Sequence, residues 1–183
     1  RGRMKPHSKS VDLIDPRRLL VKVATVLDRL KIPYVVTGGI AVFVWGRPRF
    51  TADIDIVIQI DSDDIHKLAK GLAAISAYSY IDEGSMRKAL MHHGEFNFID
   101  GASGIKVDFW VGEATHVWTK EQFRHRINKK VLRASVSFIS PEDLILSKLI
   151  WYQKTELSRQ LEDIESILKI QKAPKTPTPL IFM

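Results

Sequence analysis

Hydrophobic and polar residues follow regular spacings along this chain, and those spacings predict its helices and strands. After Asp15-Pro16, leucine and valine recur every three or four residues, which is typical of an amphipathic helix. Apolar or alternating runs predict strands at residues 34–37, 53–60, 95–99, 105–111 and, as an edge strand, 131–139, and further helices from 62, from 141 and over 157–170. This alternation predicts an α/β (α+β) domain with helices flanking a sheet.

Two aspartates begin the most regular of these strands. Isoleucine occupies every second position from 54 to 60, so Asp53 and Asp55 project from the opposite face. Residues two apart on a strand are about 6.5 Å apart at the backbone, which lets two carboxylates share one divalent cation. A solvated outer face is the alternative for such a pair. Aspartate is uncommon in strands, however, and its placement here favours a site.

Gly38-Gly39 follows the predicted strand at residues 34–37. Glycines at a strand end allow a ligand to approach the backbone closely. They also leave N–H groups free where a helix begins, an arrangement that receives phosphate. We therefore interpret the glycines and the two aspartates as parts of one site for phosphate and metal.

A third carboxylate is available at Asp108. The linker at residues 100–104 has the composition of a hairpin turn and joins two apolar strands, and in the second strand Asp108 shares a face with Lys106 and Trp110. A buried aspartate is costly unless it meets a cation or a hydrogen-bond donor, which favours a role at the site. The alternative is a charge on an edge strand facing water.

The order of these motifs resembles the nucleotidyltransferase superfamily with the DNA polymerase β type of fold. The resemblance is carried by Gly38-Gly39, then by Arg49-x-Thr51-x-Asp53-x-Asp55, and then by the strand bearing Asp108. It covers residues 33–112 and extends more weakly to about residue 168, where the stretch 140–149 is similar to stand-alone prokaryotic enzymes related to AbiEii-type toxins and to aminoglycoside and lincosamide nucleotidyltransferases. Many members have serine where this chain has Gly39, so backbone N–H groups are left to serve the triphosphate.

The resemblance implies a mixed nucleotidyltransferase-type sheet with a C-terminal helical extension. It also implies Mg²⁺-dependent transfer of a nucleoside monophosphate from a nucleoside triphosphate to a hydroxyl on RNA or tRNA, a protein or a small molecule, with release of pyrophosphate. Asp53, Asp55 and Asp108 would bind two Mg²⁺ ions, and Asp108 would take the proton. The alternative is an inactive module of the same fold that binds nucleotide or RNA.

Basic and hydroxyl side chains near the motifs are candidates for binding the triphosphate. Arg47 and Arg49 precede the aspartate strand, where a guanidinium can reach phosphate oxygens, although a solvated loop is the alternative for Arg47. Thr51 lies two residues before the first aspartate and could orient a carboxylate. The resemblance implies that Lys148, on the helix capped by Ser140, contacts the triphosphate; a solvated helix face is the alternative.

Composition and charge bear on the partners, the classes of site and the location of the protein. The chain has a net charge of +7, and basic residues cluster at 124–133, which favours a polyanion such as RNA or tRNA as well as the triphosphate itself. The absence of cysteine excludes a disulfide framework, a thiol nucleophile and Cys-bound zinc. No apolar stretch is long enough for a membrane span, so we expect a cytoplasmic protein; the sequence leaves open whether a partner protein exists.

The same patterns predict four segments. These are a flexible N-terminal segment at 1–10, a nucleotidyltransferase core at 11–139, C-terminal helices at 140–170 and a proline-rich tail at 171–183. In the last helix, Arg159 and Asp163 are four residues apart, a spacing that predicts a modest ion pair on the surface.

Overall fold

A computed structural model describes residues 15–171 of the chain. The predicted flexible segment 1–10 and residues 172–183 of the predicted tail lie outside this range. The elements in chain order are α1 (Pro16–Leu30), β1 (Tyr34–Thr37), α2 (Gly38–Trp45), β2 (Asp53–Ile58), α3 (Asp64–Ala73), α4 (Glu83–His92), β3 (Glu95–Ile99), β4 (Lys106–Val111), α5 (Val117–Arg124), β5 (Ile127–Val131), β6 (Ala134–Phe138), α6 (Pro141–Thr155) and α7 (Ser158–Gln171). The predicted α/β fold is confirmed.

All six of these strands belong to one mixed sheet with the order β3-β4-β2-β1-β6-β5. β2 pairs with β4, and β1 with β6, in parallel, while the remaining neighbours are antiparallel. The predicted strand at 131–139 is confirmed at residues 134–138, which form β6, but its predicted edge position is wrong. β6 lies inside the sheet, and the edge is β5, which includes Val131 and is joined to β6 by a turn in which Leu132 and Arg133 both have positive φ. The polar sequence of β5 resembles a solvated loop, and this hid the strand.

The two faces of the sheet differ, since one packs against the apolar core and the other carries the acids. On one face, alternate residues of β2 and β4 are fully buried and form the core together with apolar residues of α1, α3 and α4. Burial of this apolar area stabilises the domain and fixes the register, because a one-residue slip would turn the core residues to the other face. The opposite face carries Asp53, Asp55 and Asp108.

Two predicted helix starts are confirmed by their caps. The carboxylate of Asp15 accepts a hydrogen bond from the backbone N–H of Arg17 at the start of α1. At the start of α6, the hydroxyl of Ser140 accepts one from the N–H of Asp143. Such caps satisfy backbone donors that the helix leaves unpaired. The cap at Ser140 fixes where α6 begins, and thereby where Lys148 lies along the helix.

Helix α7 packs with its buried side against the rest of the domain. That side consists of Asp163, Ile164 and Ile167. The predicted surface pair between Arg159 and Asp163 is therefore wrong, since Asp163 faces inward and Arg159 donates instead to the backbone carbonyl of Phe50. Over residues 15–171, no helix combines the length and apolar character that crossing a membrane requires.

Candidate active site

The parallel pairing of β2 with β4 brings the acids together. In this register Asp55 lies opposite Asp108, and Asp53 lies opposite Lys106. β4 is an internal strand, between β3 and β2, and Asp108 is only 8 % exposed, so this residue is not an edge-strand charge facing water. The three predicted carboxylates, two on β2 and one on β4, thus share one face and one end of the sheet.

A lysine already lies among these acids. The Nζ of Lys106 is 2.8 Å from Oδ2 of Asp108 and 3.9 Å from Oδ2 of Asp53. The hydrogen bond to Asp108, with the charges of both acids, raises the pKa of Lys106. The sequence indicated that Lys106 and Asp108 share a face, but it did not predict that the lysine neutralises the acids.

The donor set suits a divalent cation. Oδ1 of Asp108 is buried and has no hydrogen-bond partner, which leaves one carboxylate oxygen ready for a positive ligand. Mg²⁺ is usually bound by one or two carboxylates together with water and substrate phosphates. In the present side-chain conformations, no three His, Cys, Asp or Glu residues between 15 and 171 converge closely enough to hold an ion. A bound cation would take over the neutralising role of Lys106.

The fold makes ionisation of Asp55 costly. Burial raises its pKa, and the neighbouring carboxylates of Asp108 and Asp53 raise it further, whereas Lys148 and the backbone N–H of Gly39 act in the opposite direction. Burial and like charge both disfavour a carboxylate. A cation beside Asp55 would therefore relieve unfavourable electrostatics that the fold itself creates.

The two glycines at the start of α2 are required by close packing. Gly38 has φ of +61°, and a Cβ placed there would lie 1.8 Å from Oδ2 of Asp55. The side chain of Thr37 makes no capping hydrogen bond to this helix. The first N–H groups of a helix have no partner within it, and at the start of α2 the N–H of Gly39 faces the carboxylate of Asp55 and acts against the rise in its pKa.

Thr51 explains why the second glycine is not serine. A Cβ at Gly39 would lie 2.4 Å from Oγ1 and 2.7 Å from Cβ of Thr51, both closer than real contacts allow. The hydroxyl of Thr51 lies where a side chain at position 39 would extend, and it also donates to the backbone carbonyl of Asp53 at 3.3 Å. The space that serine would occupy is thus filled by a hydroxyl from another part of the chain.

Arg49 and Lys148 meet at a buried acid that the sequence analysis did not identify. Nε and Nη2 of Arg49 donate to the two oxygens of Asp163 at 2.6 and 2.8 Å, and Nζ of Lys148 lies 2.9 Å from Oδ2. Burial alone would raise the pKa of Asp163, but the hydrogen bonds and charges of the two cations outweigh it and lower the pKa. The available signal was the spacing of Asp163 with Ile164 and Ile167 on one helix face.

Arg47 contacts helix α7. Its backbone N–H donates to Oγ of Ser166 at 2.5 Å, and its exposed side chain lines a cleft with Arg49 and Lys169. Lys148 acts against the rise in the pKa of Asp55, and Arg49 shares Asp163 with Lys148. The roles predicted for Arg47, Arg49 and Lys148 toward a triphosphate stay predictions.

The basic cluster at 124–133 lies at the other side of the sheet. It spans the end of α5, the edge strand β5 and the following turn, and β1 and β6 separate it from the acid-bearing strands. Lys129 lies over the ring of Trp45, with Nζ 4.7 Å from the ring centroid, and Arg124 pairs with Glu121. The prediction that this cluster binds RNA or tRNA remains a prediction.

Comparisons with known proteins identify the family of the chain. Residues 18–179 match the family described as the nucleotidyl transferase AbiEii toxin of the type IV toxin–antitoxin system. No curated protein matches the chain significantly in sequence.

Solved structures share the fold at low sequence identity. An antigenic nucleotidyltransferase-like protein from Paracoccidioides brasiliensis is 21 % identical with a TM-score of 0.58, over 89 % of this chain and 78 % of that one. ANT(2″)-Ia, in complex with adenylyl-2″-tobramycin, is 14 % identical with a TM-score of 0.59, over 84 % and 88 % of the two chains. The lincomycin-bound lincosamide antibiotic adenylyltransferase LnuA is 13 % identical with a TM-score of 0.55, over 86 % and 98 %.

Proposed function

The chain belongs to the AbiEii nucleotidyl transferase toxin family of type IV toxin–antitoxin systems, and from this premise we propose that it transfers a nucleoside monophosphate from a nucleoside triphosphate to a hydroxyl acceptor. The observation that carries the proposal is the pairing of Asp55 with Asp108 across the parallel strands β2 and β4. Oδ1 of Asp108 is buried there without a hydrogen-bond partner. Because phosphoryl-type transfer needs positioning and neutralisation of charge, such an acid cluster beside a helix N-terminus is suited to it.

In this proposal the triphosphate lies at the start of α2. The N–H groups beyond Gly39 donate to its oxygens, and the hydroxyl of Thr51 exchanges its 3.3 Å hydrogen bond to the carbonyl of Asp53 for a phosphate oxygen near Gly39. Lys148 has three donors and uses one on Asp163, so it can also bind a phosphate oxygen. Arg49 is held by Asp163 in two hydrogen bonds and contributes its charge to the same region.

The acceptor hydroxyl lies on the side of Asp108. Its oxygen forms a bond to the α-phosphorus, the bond from that phosphorus to the pyrophosphate oxygen breaks, and Asp108 accepts the hydroxyl proton. Asp53, Asp55 and Asp108 would hold magnesium, two ions in the full arrangement, which neutralises the phosphates and favours the attacking alkoxide. Lys106, which contacts Asp108 and lies near Asp53, would supply a nearby positive charge.

Asp163 serves the reaction through other residues. It holds Lys148 from α6 and Arg49 from the loop before β2 in one buried network. This fixes both cations without placing a carboxylate among the substrates. We assign Asp163 as a positioning residue.

Several classes of acceptor are compatible with this chemistry. RNA or tRNA, a protein and a small molecule all offer hydroxyls, and the net charge of +7 supports a polyanion. The family to which the chain belongs is part of toxin–antitoxin systems, so we include control by a partner protein in the proposal. We place the activity in the cytoplasm, which supplies nucleoside triphosphates and magnesium.

The test is transfer of label by the purified protein. Each labelled nucleoside triphosphate is incubated with Mg²⁺ and either total RNA or total protein, and both labelled product and pyrophosphate are measured. Asp53→Asn, Asp55→Asn and Asp108→Asn should each lower the rate by at least about 100-fold, the cost of losing one electrostatic contact to the transition state.

Glu95→Gln is the matched control for these variants. Glu95 is an exposed acid on β3, on the same face as the cluster, because it is paired with Trp110. Its loss should leave the rate within about twofold of wild type, since exposed charges screened by solvent contribute little. A folded Asp55→Asn protein with ordinary turnover would refute the proposal, and triphosphate binding without pyrophosphate release would instead support a binding module.

A further inference from the structure

Two tryptophans lie next to the acid cluster. Trp110 is two residues beyond Asp108 on the same face of β4, about 6.5 Å farther along the strand. Trp151 is three residues beyond Lys148 on α6, so the two share one side of the helix. The ring centroids of the tryptophans are 5.7 Å apart with an interplanar angle of 69°, an edge-to-face contact. The pair therefore joins the strand and the helix that carry the proposed site.

Both rings of this pair keep part of their surface exposed to solvent. Trp151 is 40 % exposed and Trp110 is partly exposed. By contrast, Trp45 on α2 is 4 % exposed, and its indole N–H donates to the backbone carbonyl of Ile139, as expected of a structural tryptophan. An exposed aromatic pair beside a cluster of acids is suited to contact with a ligand ring.

A cation adjoins this aromatic surface. Nζ of Lys154 lies over the ring of Trp151, 5.7 Å from its centroid, and the lysine itself is exposed. Aromatic rings that stack bases, combined with cations that follow the backbone, are how proteins bind single-stranded nucleic acid. A surface of this kind matches a nucleobase together with a neighbouring phosphate.

The sheet order separates Trp110 from the start of α2, whereas Trp151 shares one side of α6 with Lys148. α2, where the triphosphate is proposed to bind, follows β1 directly, and β1 and β4 lie on opposite sides of β2. Trp110, on β4, is therefore on the side of the cluster away from the triphosphate. We infer that Trp110 and Trp151 form a stacking subsite for a nucleobase of a single-stranded nucleic-acid acceptor, with Lys154 beside its backbone phosphate. This inference rests on the proposed nucleotidyl transfer.

The test is binding of RNA in the absence of triphosphate and metal. A fluorescein-labelled single strand of about six nucleotides is titrated with protein while its anisotropy is recorded, and quenching of tryptophan fluorescence by the unlabelled strand is recorded in parallel. Trp110→Leu and Trp151→Leu should each weaken binding by about 5- to 150-fold, the range that one stacked base contributes. An abasic strand of equal length and charge should bind the wild-type protein more weakly by a similar factor.

Control variants separate stacking from damage to the fold. Trp118→Leu alters a tryptophan on α5, outside the pair, and should keep wild-type affinity. Trp151→Phe keeps an aromatic ring and should retain most of the binding. The melting temperature of each variant identifies any loss that comes from unfolding.

The outcomes distinguish this inference from the proposed function. If Asp55→Asn abolishes transfer but keeps RNA binding, and Trp151→Leu loses binding, both stand. Equal RNA affinity in wild type, Trp110→Leu and Trp151→Leu would overturn the stacking subsite while leaving nucleotidyl transfer intact. Quenching by a nucleoside triphosphate alone, with none by RNA, would assign the rings to the donor base and also overturn the inference.

Discussion

Removing the carboxylate of Asp163 should destabilise the protein strongly. The Asp163 side chain is 3 % exposed, and it pairs with Lys148 at 10 % and Arg49 at 25 % exposure. Asp163→Ala leaves two cations facing each other, one of them nearly buried, without a partner. Breaking a buried pair by removing one member costs about 3–5 kcal/mol, because the remaining charge stays desolvated. For a chain of this size that corresponds to a fall in melting temperature of about 6–20 °C.

The assay is urea unfolding together with thermal unfolding, each followed by circular dichroism. Glu162→Ala is the matched control, because Glu162 is the preceding acid on α7 and is exposed. It should change the free energy of unfolding by no more than about 0.5 kcal/mol.

A third variant tests the physical reason. Replacing all three members together, with Arg49→Met, Lys148→Met and Asp163→Leu, removes the desolvated charges as well as their attraction, and should recover most of the stability lost in Asp163→Ala. If Asp163→Ala is as stable as Glu162→Ala, the network does not carry the energy assigned to it. If the triple variant is less stable than Asp163→Ala, desolvation is not the cause of the loss.

Three further predictions follow from the site. Gly39→Ala should cost about 1–3 kcal/mol through its clash with Thr51. Adding Thr51→Gly should recover part of that loss in a double-mutant cycle by urea unfolding, and strict additivity would contradict the clash. Asp55→Asn should raise the free energy of unfolding by about 0.5–2 kcal/mol at pH 7 in the absence of metal. The reason is that burial and Asp108 raise the pKa of Asp55 and disfavour its ionised form. An unchanged or lower free energy of unfolding would count against this. The lowered pKa of Asp163 means that its contribution to stability is present above the ordinary value of 3.8 and is lost as the pH falls through the lowered one. Urea unfolding of wild type from pH 5 to pH 2 should show this loss, and an Asp163→Asn variant with the same pH dependence would show that another group is responsible.

Local patterns were sufficient to predict the central part of the fold. The alternation in 53–60 placed Asp53 and Asp55 on the face opposite the core, and the hairpin at residues 95–111 placed Asp108 on an apolar strand. Each of these features depends on the side-chain period of a strand or on turn residues within a few positions. The parallel register that sets Asp55 opposite Asp108 is consistent with them, but it is set by pairing across more than 50 residues of sequence.

Features that depend on distant partners could not be predicted. α4 and α5 lack a strong apolar stripe, and only a few of their residues are buried, so their sequences resemble loops. Asp163 looked like an exposed acid because its partners, Arg49 and Lys148, lie 114 and 15 positions away along the chain. Arg159, four residues earlier on the same helix, was the nearest apparent partner, but Asp163 pairs with distant residues instead.

The contacts of α7 show that the C-terminal helices take part in the proposed site. Asp163 holds Lys148 and Arg49, Oγ of Ser166 accepts from the N–H of Arg47, and Nε2 of Gln171 donates to the carbonyl of Trp45 at 2.7 Å. These contacts fix the path of the chain between α2 and β2, the segment that leads into the acids. A fragment ending at residue 139 would lose two of the three charges in the buried network and leave the third, Arg49, without its partner. The acid cluster therefore depends on α6 and α7 for its surroundings, although all three of its carboxylates come from the sheet.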